Sequence, residues 1–350
     1  MTPVLERPVC DDVEFARIVD ELTRRGFLGG LAGTAALLGL AACGSGDPEA
    51  SGDAAAAGFP VSVDGKFGRV TIPAKPTRVV ALGQGPDSDA SLALGVVPVA
   101  MPKDPSVPAG IQPWTAAKLP GAKPELLDVS SGLPFEQIVA LRPDLIIATT
   151  YYGLAQDHAT LSKIAPVLAY VTGPNTDSWQ DCTTRVGRAV GEPARAAQLV
   201  TRVEAKIASV RDQHPEFAGK TFTFGPVQAD GTIYTTNSPS DLSAALLTQL
   251  GLRLSPAAAG LPASSTRGKA IVSPERLDLL DADVLILTYI SAARRAGLEG
   301  SELFQRLKAV QDGAYIDLPL SAATAMAFPS ALSIEYALDI IVPELADAIG

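Results

Sequence analysis

From Phe59 onward, short apolar runs alternate with longer segments that have helical spacing. Strands are predicted at Val79–Leu82, Leu145–Ala148 and Val167–Val171, and a Gly/Pro turn and a helix through Ala90–Leu94 follow the first. These strands are continuously apolar instead of alternating, so we expect helices to cover both faces of the sheet. The pattern therefore predicts an α/β fold.

An internal repeat divides this pattern into two halves. Residues 136–149 recur as residues 275–288 at a constant offset, with aliphatic residues at equivalent positions. The matched polar pairs are Glu136 and Glu275, Asp144 and Asp283, and Thr149 and Thr288. Each copy predicts a helix that leads into a buried strand through an Asp-containing loop. Chance similarity is the alternative, because such joints are common, but the number of matches favours two lobes of similar architecture.

A strongly helical segment lies between the two copies. Apolar residues recur every three to four positions over residues 179–211, and His214-Pro215 ends the pattern. Pro193 can kink or divide the helix because its ring removes a backbone hydrogen bond. We predict an N-terminal lobe over residues 59–177, a single connecting helix over 178–214 and a C-terminal lobe over 219–350. A stiff helix of this kind would permit only limited hinge motion.

The first 58 residues predict export and lipidation. Arg24 and Arg25 precede an apolar, Gly/Ala-rich run over residues 27–42 that is too short to span a bilayer, which needs about 20 residues. The arginine pair resembles a twin-arginine signal, and Leu-Ala-Ala before Cys43 resembles a lipobox. We predict a signal peptide over 1–42, a lipidated Cys43, and a flexible tether over 43–58. The alternative, a buried Ala-rich helix with a chance cysteine, does not account for the Gly/Ser-rich segment that follows.

Composition narrows the function further. The chain has 350 residues, of which 47% are hydrophobic and 19% charged, and this is typical of a globular protein large enough for two domains. Its net charge of −10 and the lack of a basic stripe argue against nucleic-acid binding. After loss of Cys10 and lipidation of Cys43, Cys182 has no partner, so we expect no disulfide.

Six segments in a fixed order match those of a known family: residues 76–82, 93–99, 135–146, 164–167, 246–251 and 272–277. Their order resembles the helical-backbone class (class III) of ABC transporter solute-binding proteins, which carry iron–siderophores, haem or cobalamin. The resemblance covers nearly all of the chain from about Pro73, and within the class it points to ferric-siderophore binders of actinobacterial type. The resemblance implies two α/β lobes with a cleft between them, an extracytoplasmic, membrane-anchored monomer, and delivery of the cargo to an ABC importer.

The resemblance also gives a role to the repeated acids. In this class, a glutamate on each lobe contacts arginines of the importer's membrane subunits, and Glu136 and Glu275 occupy the matching positions. Exposed charges of this kind orient docking more than they add affinity. The alternative is that each carboxylate only stabilises the positive end of its own helix.

Cargo is expected at the carboxyl ends of the strands, where open α/β sheets bind ligands. Gln84 follows the first strand, and Asp87 or Ser88 is predicted to be the N-cap of the next helix. Tyr151 and Tyr152 follow the second strand, and both are candidate cargo contacts through an apolar face and a hydroxyl, although at least one ring is expected to pack inward. The remaining candidates are Trp114, Trp179, Gln228, Tyr289, Arg294 and Arg295, with the two arginines as donors to an anionic group.

Two other function classes are disfavoured. A bare-metal site needs converging His, carboxylate or thiolate ligands, but His158 and His214 are not at ligand spacing, and we expect no resident metal or cofactor. A hydrolase would need a nucleophile beside a base, and neither histidine lies in such a motif. The resemblance therefore implies a carrier of a ferric siderophore. We lean toward hydroxamates because the chain is acidic and its first lobe is poor in arginine. Haem or cobalamin cargo, or a cell-envelope interaction protein derived from this fold, remain open alternatives.

Overall fold

A computed structural model of the chain describes residues 58–119 and 121–350. Two β-sheets, each covered by helices on both faces, are joined by a long helix, which confirms the two-lobe α/β prediction. The predicted signal peptide, Cys43 and all of the tether except Gly58 lie outside the described residues. Within the described part, no helix has the length and apolarity needed to cross a membrane.

The N-terminal lobe contains a hairpin and a five-stranded parallel sheet with the order β5-β4-β3-β6-β7. Its strands are β1 (Val61–Gly65), β2 (Gly68–Ile72), β3 (Val79–Ala81), β4 (Ala100–Pro102), β5 (Glu125–Leu127), β6 (Leu145–Ala148) and β7 (Val167–Ala169). Its helices are α1 (Pro86–Ala93), α2 (Pro113–Ala116), α3 (Phe135–Ala140) and α4 (Leu154–Leu161).

The predicted connecting helix is present as two helices, α5 (Trp179–Ala189) and α6 (Pro193–Gln213). The prediction of a single helix over 178–214 is corrected at Gly191, which has a φ of 75° and ends the first helix, and Pro193 starts the second. Gly187 and Ala196 are in close contact where the two helices meet, so α5 folds back along α6 and belongs to the first lobe. Of these two helices, only α6 runs from the first lobe to the second.

The C-terminal lobe contains a mixed sheet with the order β11-β9-β8-β12-β13, and β10 also pairs with β8. Its strands are β8 (Thr221–Val227), β9 (Ile233–Thr236), β10 (Arg253–Leu254), β11 (Lys269–Val272), β12 (Val284–Tyr289) and β13 (Tyr315–Asp317). Its α-helices are α7 (Leu242–Gln249), α8 (Pro256–Ala259), α9 (Ala292–Glu299), α10 (Glu302–Gln305), α11 (Lys308–Gln311), α12 (Leu320–Ala327) and α13 (Ala331–Ile349). Short 3-10 helices occupy Pro215–Phe217 and Pro274–Leu280.

Apolar strands in both lobes bury alternate side chains in different cores. In β6, Leu145 and Ile147 face an inner core shared by the two lobes, whereas Ile146 and Ala148 face an outer core of the first lobe. The equivalent strand β12 behaves in the same way, with alternate residues in the inner core and in an outer core of the second lobe. Because successive side chains of a strand point to opposite faces, two covered faces require apolar residues at every position.

The repeated aspartates make equivalent contacts in the two lobes. Asp144 precedes β6 and accepts hydrogen bonds from the backbone N–H and hydroxyl of Thr77 at 2.7 and 2.9 Å, and from Arg78 N–H at 2.9 Å. Asp283 precedes β12 and accepts from the N–H and hydroxyl of Thr221 at 2.7 and 2.8 Å. Each aspartate thus ties the amino end of one central strand to its neighbour, which supports structural equivalence of the two sequence copies.

The last helix joins the lobes a second time. Helix α13 packs along α6, with ion pairs of 3.3 Å between Arg202 and Glu335 and of 2.7 Å between Lys206 and Asp339. Its amino end also reaches the first lobe, because the Ser330 hydroxyl donates to buried Asp89 of α1 at 2.7 Å. The two sheets are therefore held at a fixed separation by a pair of helices.

We predict that Asp144→Ala lowers the free energy of unfolding by about 1–3 kcal/mol, because three hydrogen bonds to one carboxylate are lost. Urea denaturation followed by circular dichroism would measure the change. Asp212→Ala is the control, since the Asp212 side chain is 70% exposed and, among the described residues, pairs only with its neighbour Arg211. Equal stabilities for the two variants would show that the strand tie contributes nothing.

Candidate functional site

Four loops form the first wall of a groove between the lobes, at the carboxyl ends of β3, β4, β5 and β6. They enclose a cavity of about 600 Å³. The residues that line it include Leu82, Gln84, Lys103, Asp128, Tyr151 and Tyr152, and we call this surface the N-wall. Its position agrees with the general rule that ligands bind at the carboxyl edge of open α/β sheets.

The two tyrosines of the N-wall have different surroundings. The Tyr151 ring packs against the outer core, and its hydroxyl donates to the Asp157 carboxylate at 2.5 Å. Tyr152 is 61% exposed, so an apolar ring and a hydroxyl are both available to a ligand. One ring therefore packs inward, as expected, and the other presents a free face to the groove.

The base of the groove is formed where the lobes meet. A cavity of about 730 Å³ is lined there by residues of both lobes, among them Tyr152, Asn175, Thr176, Asp241, Arg267, Lys269 and Phe328, and we call this surface the floor. Asn175 Nδ2 donates to the backbone oxygen of Ala327 at 3.2 Å, and Arg267 Nη1 donates to the Thr176 hydroxyl at 3.4 Å. Both hydrogen bonds cross from one lobe to the other.

The second lobe supplies the opposite wall. A cavity of about 600 Å³ is lined by residues that include Gln228, Asp230, Thr232, Tyr234, Thr266 and Lys269, and we call this surface the C-wall. The turn after β8 is closed by a 2.9 Å hydrogen bond from Gln228 N–H to the Thr232 oxygen, and Arg294 Nε donates to the Ala229 oxygen at 2.9 Å. Arg294 thus supports the C-wall turn from outside the cavity.

These three surfaces form one continuous feature, which we call the interlobe groove. Tyr152 lines both the N-wall and the floor, and Thr266 and Lys269 line both the floor and the C-wall. A ligand larger than any one cavity could therefore contact both lobes at once.

The charges that line the interlobe groove are balanced. Three side chains are basic, Lys103, Arg267 and Lys269, and three are acidic, Asp128, Asp230 and Asp241. Lys269 is largely buried and pairs with Asp241 at 3.0 Å; its desolvation lowers the lysine pKa, and the Asp241 carboxylate opposes that shift. Hydrogen bonds from Ser130 and Thr232 lower the pKa of Asp128 and Asp230, respectively, so both stay ionised. The groove therefore has no strong excess of either sign.

Five predicted ligand residues do not line the groove: Trp114, Trp179, Tyr289, Arg294 and Arg295. The two tryptophans are the clearest corrections. Trp114 is 6% exposed, and its indole N–H donates to Asp89 at 2.8 Å. Trp179 is 8% exposed and lies in the inner core. A buried tryptophan usually needs a hydrogen-bond acceptor for its indole N–H, and here the Asp89 carboxylate is that acceptor. The prediction that these rings contact cargo is therefore wrong.

Tyr289 and Arg295 belong to a polar network beside the groove. The Tyr289 and Tyr315 hydroxyls are 2.9 Å apart, and burial raises the pKa of Tyr289 to about 12. Arg295 pairs with Glu299 at 2.9 Å and with Asp317. Their polar groups are engaged within the lobe, and Arg294 donates to the Ala229 oxygen from outside the cavity. These three predictions are therefore also corrected, whereas Gln84, Tyr151, Tyr152 and Gln228 do line the groove.

The sequence-based reasoning missed Lys103, Arg267 and Lys269. Lys103 directly follows β4, so the rule that selected Gln84 could have found it if the short strand had been recognised. Arg267 and Lys269 could not be found in this way, because they lie at the amino end of β11. Asn175, which lines the floor, was also missed. Its unusual feature is a positive φ of 47°, and a backbone angle cannot be read from the sequence.

The repeated glutamates are exposed on both lobes. The preceding strands β5 and β11 end at the carboxyl edges of their sheets, and α3 and the 3-10 helix at Pro274–Leu280 run back from there. Glu136 and Glu275 therefore lie on the side of each sheet where the groove opens. The Ser273 hydroxyl lowers the pKa of Glu275, which keeps that carboxylate charged.

No group of three or more His, Cys, Asp or Glu side chains is arranged to hold a metal ion in residues 58–119 and 121–350. Cys182 is buried in this part of the chain, and burial raises the pKa of its thiol to about 12.

Comparisons with known proteins agree with this architecture. Residues 85–322 match the family model described as "Periplasmic binding protein". A periplasmic solute binding protein from Mycobacterium smegmatis is 34% identical, and the alignment covers 83% of this chain and 99% of that one with a TM-score of 0.72. Streptococcus pneumoniae PiaA, solved in complex with ferrichrome, is 29% identical over 82% of this chain and 98% of its own, with a TM-score of 0.68.

A shorter similarity concerns the ferric enterobactin-binding periplasmic protein FepB of Escherichia coli. It is 28% identical over 144 residues, which correspond to 38% of this chain and 42% of FepB. The match thus spans less than half of that relative.

Proposed function

The chain belongs to the periplasmic binding protein family, whose members are substrate carriers and not enzymes, and from that premise we propose that it carries a ferric siderophore to an ABC importer. The observation that supports this most directly is the interlobe groove, which offers tyrosine, glutamine, proline and hydroxyl groups from both lobes. Such a lining suits the organic envelope of a chelated metal, since ligand sites combine apolar surface with a few polar anchors. Relatives named for ferrichrome and for ferric enterobactin support the same class of cargo.

The cargo we propose is a neutral or weakly charged ferric hydroxamate. Three basic and three acidic side chains line the groove, and the most buried base is already paired with Asp241. A triply anionic catecholate complex would have to be desolvated without matching positive charge, and that is costly. Ferrichrome, a neutral ferric hydroxamate, needs no such compensation.

Titration with ferrichrome, followed by quenching of tryptophan fluorescence, tests this proposal. We expect saturable binding, and we expect Tyr152→Ala to weaken it about tenfold, equivalent to about 1.4 kcal/mol, through loss of an exposed aromatic contact. Tyr289→Phe is the matched control, because it keeps the ring and alters a hydroxyl outside the groove. Tighter binding of ferric enterobactin than of ferrichrome would contradict the charge argument, and binding of haem or cobalamin alone would overturn the siderophore assignment.

For delivery, we propose that Glu136 and Glu275 orient the two lobes on the importer. Their support is equivalent positions in the internal repeat, exposure, and location on the side where the groove opens. Exposed charges steer association and fix orientation while contributing little to the fold.

Glu136→Ala combined with Glu275→Ala should abolish most siderophore uptake by cells and leave ferrichrome affinity unchanged. The control pair is Glu204→Ala with Asp212→Ala, two acids on the connecting helix α6. Uptake of radiolabelled ferric siderophore separates delivery from binding. Normal uptake by the first pair, or equal loss in both pairs, would show that these glutamates have no specific docking role.

We also propose that lipidated Cys43 anchors the protein to the outer face of the cell membrane. The support is the lipobox-like sequence before Cys43 and the Gly/Ser-rich segment after it. Cys43→Ser should move the protein from the membrane fraction to the soluble fraction when it is expressed with its own leader. Cys182→Ser, at a buried thiol, should stay with the membrane. Retention of Cys43→Ser in the membrane fraction would refute the anchor.

A further inference from the structure

Helix α1 carries a fully buried carboxylate directly beneath the N-wall. Asp87 is 0% exposed, and the described residues give it no ion pair with a basic side chain. The sequence predicted Asp87 or Ser88 as an N-cap, and this is wrong: Gly85 occupies the N-cap position without a side-chain cap, and the Asp87 carboxylate accepts the N–H of Gly83, which precedes the helix. The Asp87 carboxylate therefore does not act as the cap of helix α1.

Asp87 instead joins the two central loops of the N-wall. Its Oδ2 accepts the backbone N–H of Gly83 at 2.7 Å, and its Oδ1 accepts the hydroxyl of Thr149. Gly83 immediately follows Leu82, the residue after β3, and precedes Gln84; Thr149 follows β6 and precedes the tyrosine pair. One carboxylate thus fixes the spacing between the loop that presents Gln84 and the loop that presents Tyr151 and Tyr152.

The fit around this carboxylate is tight. A Cβ atom at position 83 would overlap both the Asp87 carboxylate and the Thr150 hydroxyl, so only glycine allows the loop to lie against them. Burial raises the pKa of Asp87, and hydrogen bonds from Thr149 and Gly83 oppose that shift. Burying a carboxylate without a cation costs stability unless hydrogen bonds compensate, so a simple packing role would be better served by an apolar side chain.

We infer that Asp87 is a positioning residue for the interlobe groove, holding the β3 and β6 loops so that Gln84, Tyr151 and Tyr152 present one pre-formed surface to cargo. The part that concerns cargo affinity rests on the proposed function. Pre-organisation of this kind raises affinity because loops already in place lose less entropy on binding. The residue acts through the loops and need not touch the cargo.

Asp87→Ala tests the inference with two readouts. Hydrogen–deuterium exchange without any cargo should rise at residues 83–85 and 149–152, and ferrichrome affinity should fall tenfold or more. Asp87→Asn should keep both properties within about threefold, because the amide oxygen can accept from Gly83 while the amide N–H donates to the Thr149 hydroxyl. Rescue by asparagine would separate hydrogen bonding from charge.

Asp144→Ala is the matched control, because Asp144 ties the same two strands at their opposite, amino ends. It should lower stability and leave ferrichrome affinity within about threefold. If Asp87→Ala fails to fold, Gly83→Ala applies the same test by forcing the loop off the carboxylate. Affinity loss in Asp144→Ala equal to that in Asp87→Ala or Gly83→Ala would overturn the inference, because it would show that general destabilisation is the cause.

The positioning role of Asp87 and the proposed cargo can be refuted independently of each other. Wild-type exchange rates at both loops in the Asp87→Ala and Gly83→Ala variants would contradict the positioning role whatever the protein binds. If those rates rise while the unaltered protein binds no ferrichrome, positioning stands and the proposed function fails.

Discussion

The pairing of α6 with α13 sets the distance between the two sheets, and the groove depends on that distance. Helix α6 has 21 residues and is therefore about 30 Å long, enough to pass from one lobe to the other without a break. Two ion pairs and a shared inner core hold α13 against it. Because packed interiors resist continuous deformation, the lobes are expected to shift slightly around a ligand and not to close widely.

The two lobes differ in the hydrogen bonds that hold the loops of the N-wall and the C-wall. Thr149 and Thr288 are equivalent in the internal repeat, yet Thr149 donates to Asp87, whereas the buried Thr288 hydroxyl has no hydrogen-bond partner among the described residues. In the N-wall, the buried Asp87 carboxylate therefore links the loops after β3 and β6. The C-wall is held in a different way, by hydrogen bonds within the turn after β8, by the contact from Arg294 and by the Lys269–Asp241 pair.

Much of the architecture could be predicted from local sequence. Continuous apolar strands indicated covered sheets, and the repeat identified Asp144 and Asp283, which make equivalent strand ties. The carboxyl-end rule found Gln84, Tyr151, Tyr152 and Gln228. It could not find Arg267 and Lys269, which lie at the amino end of β11. The prediction for Trp114 failed because its acceptor, Asp89, is 25 residues away in sequence and close only in the fold. Whether Asp87 caps its helix or turns inward likewise depends on Thr149, a contact 62 residues apart.

A crystal structure with bound ferrichrome, with iron located from its anomalous scattering, would show directly where the cargo lies. We predict a single iron position inside the interlobe groove, between Tyr152 on the first lobe and Thr266 on the second, with the loops after β3 and β6 unchanged. Iron bound outside this groove, or a complex that contacts one lobe only, would contradict it.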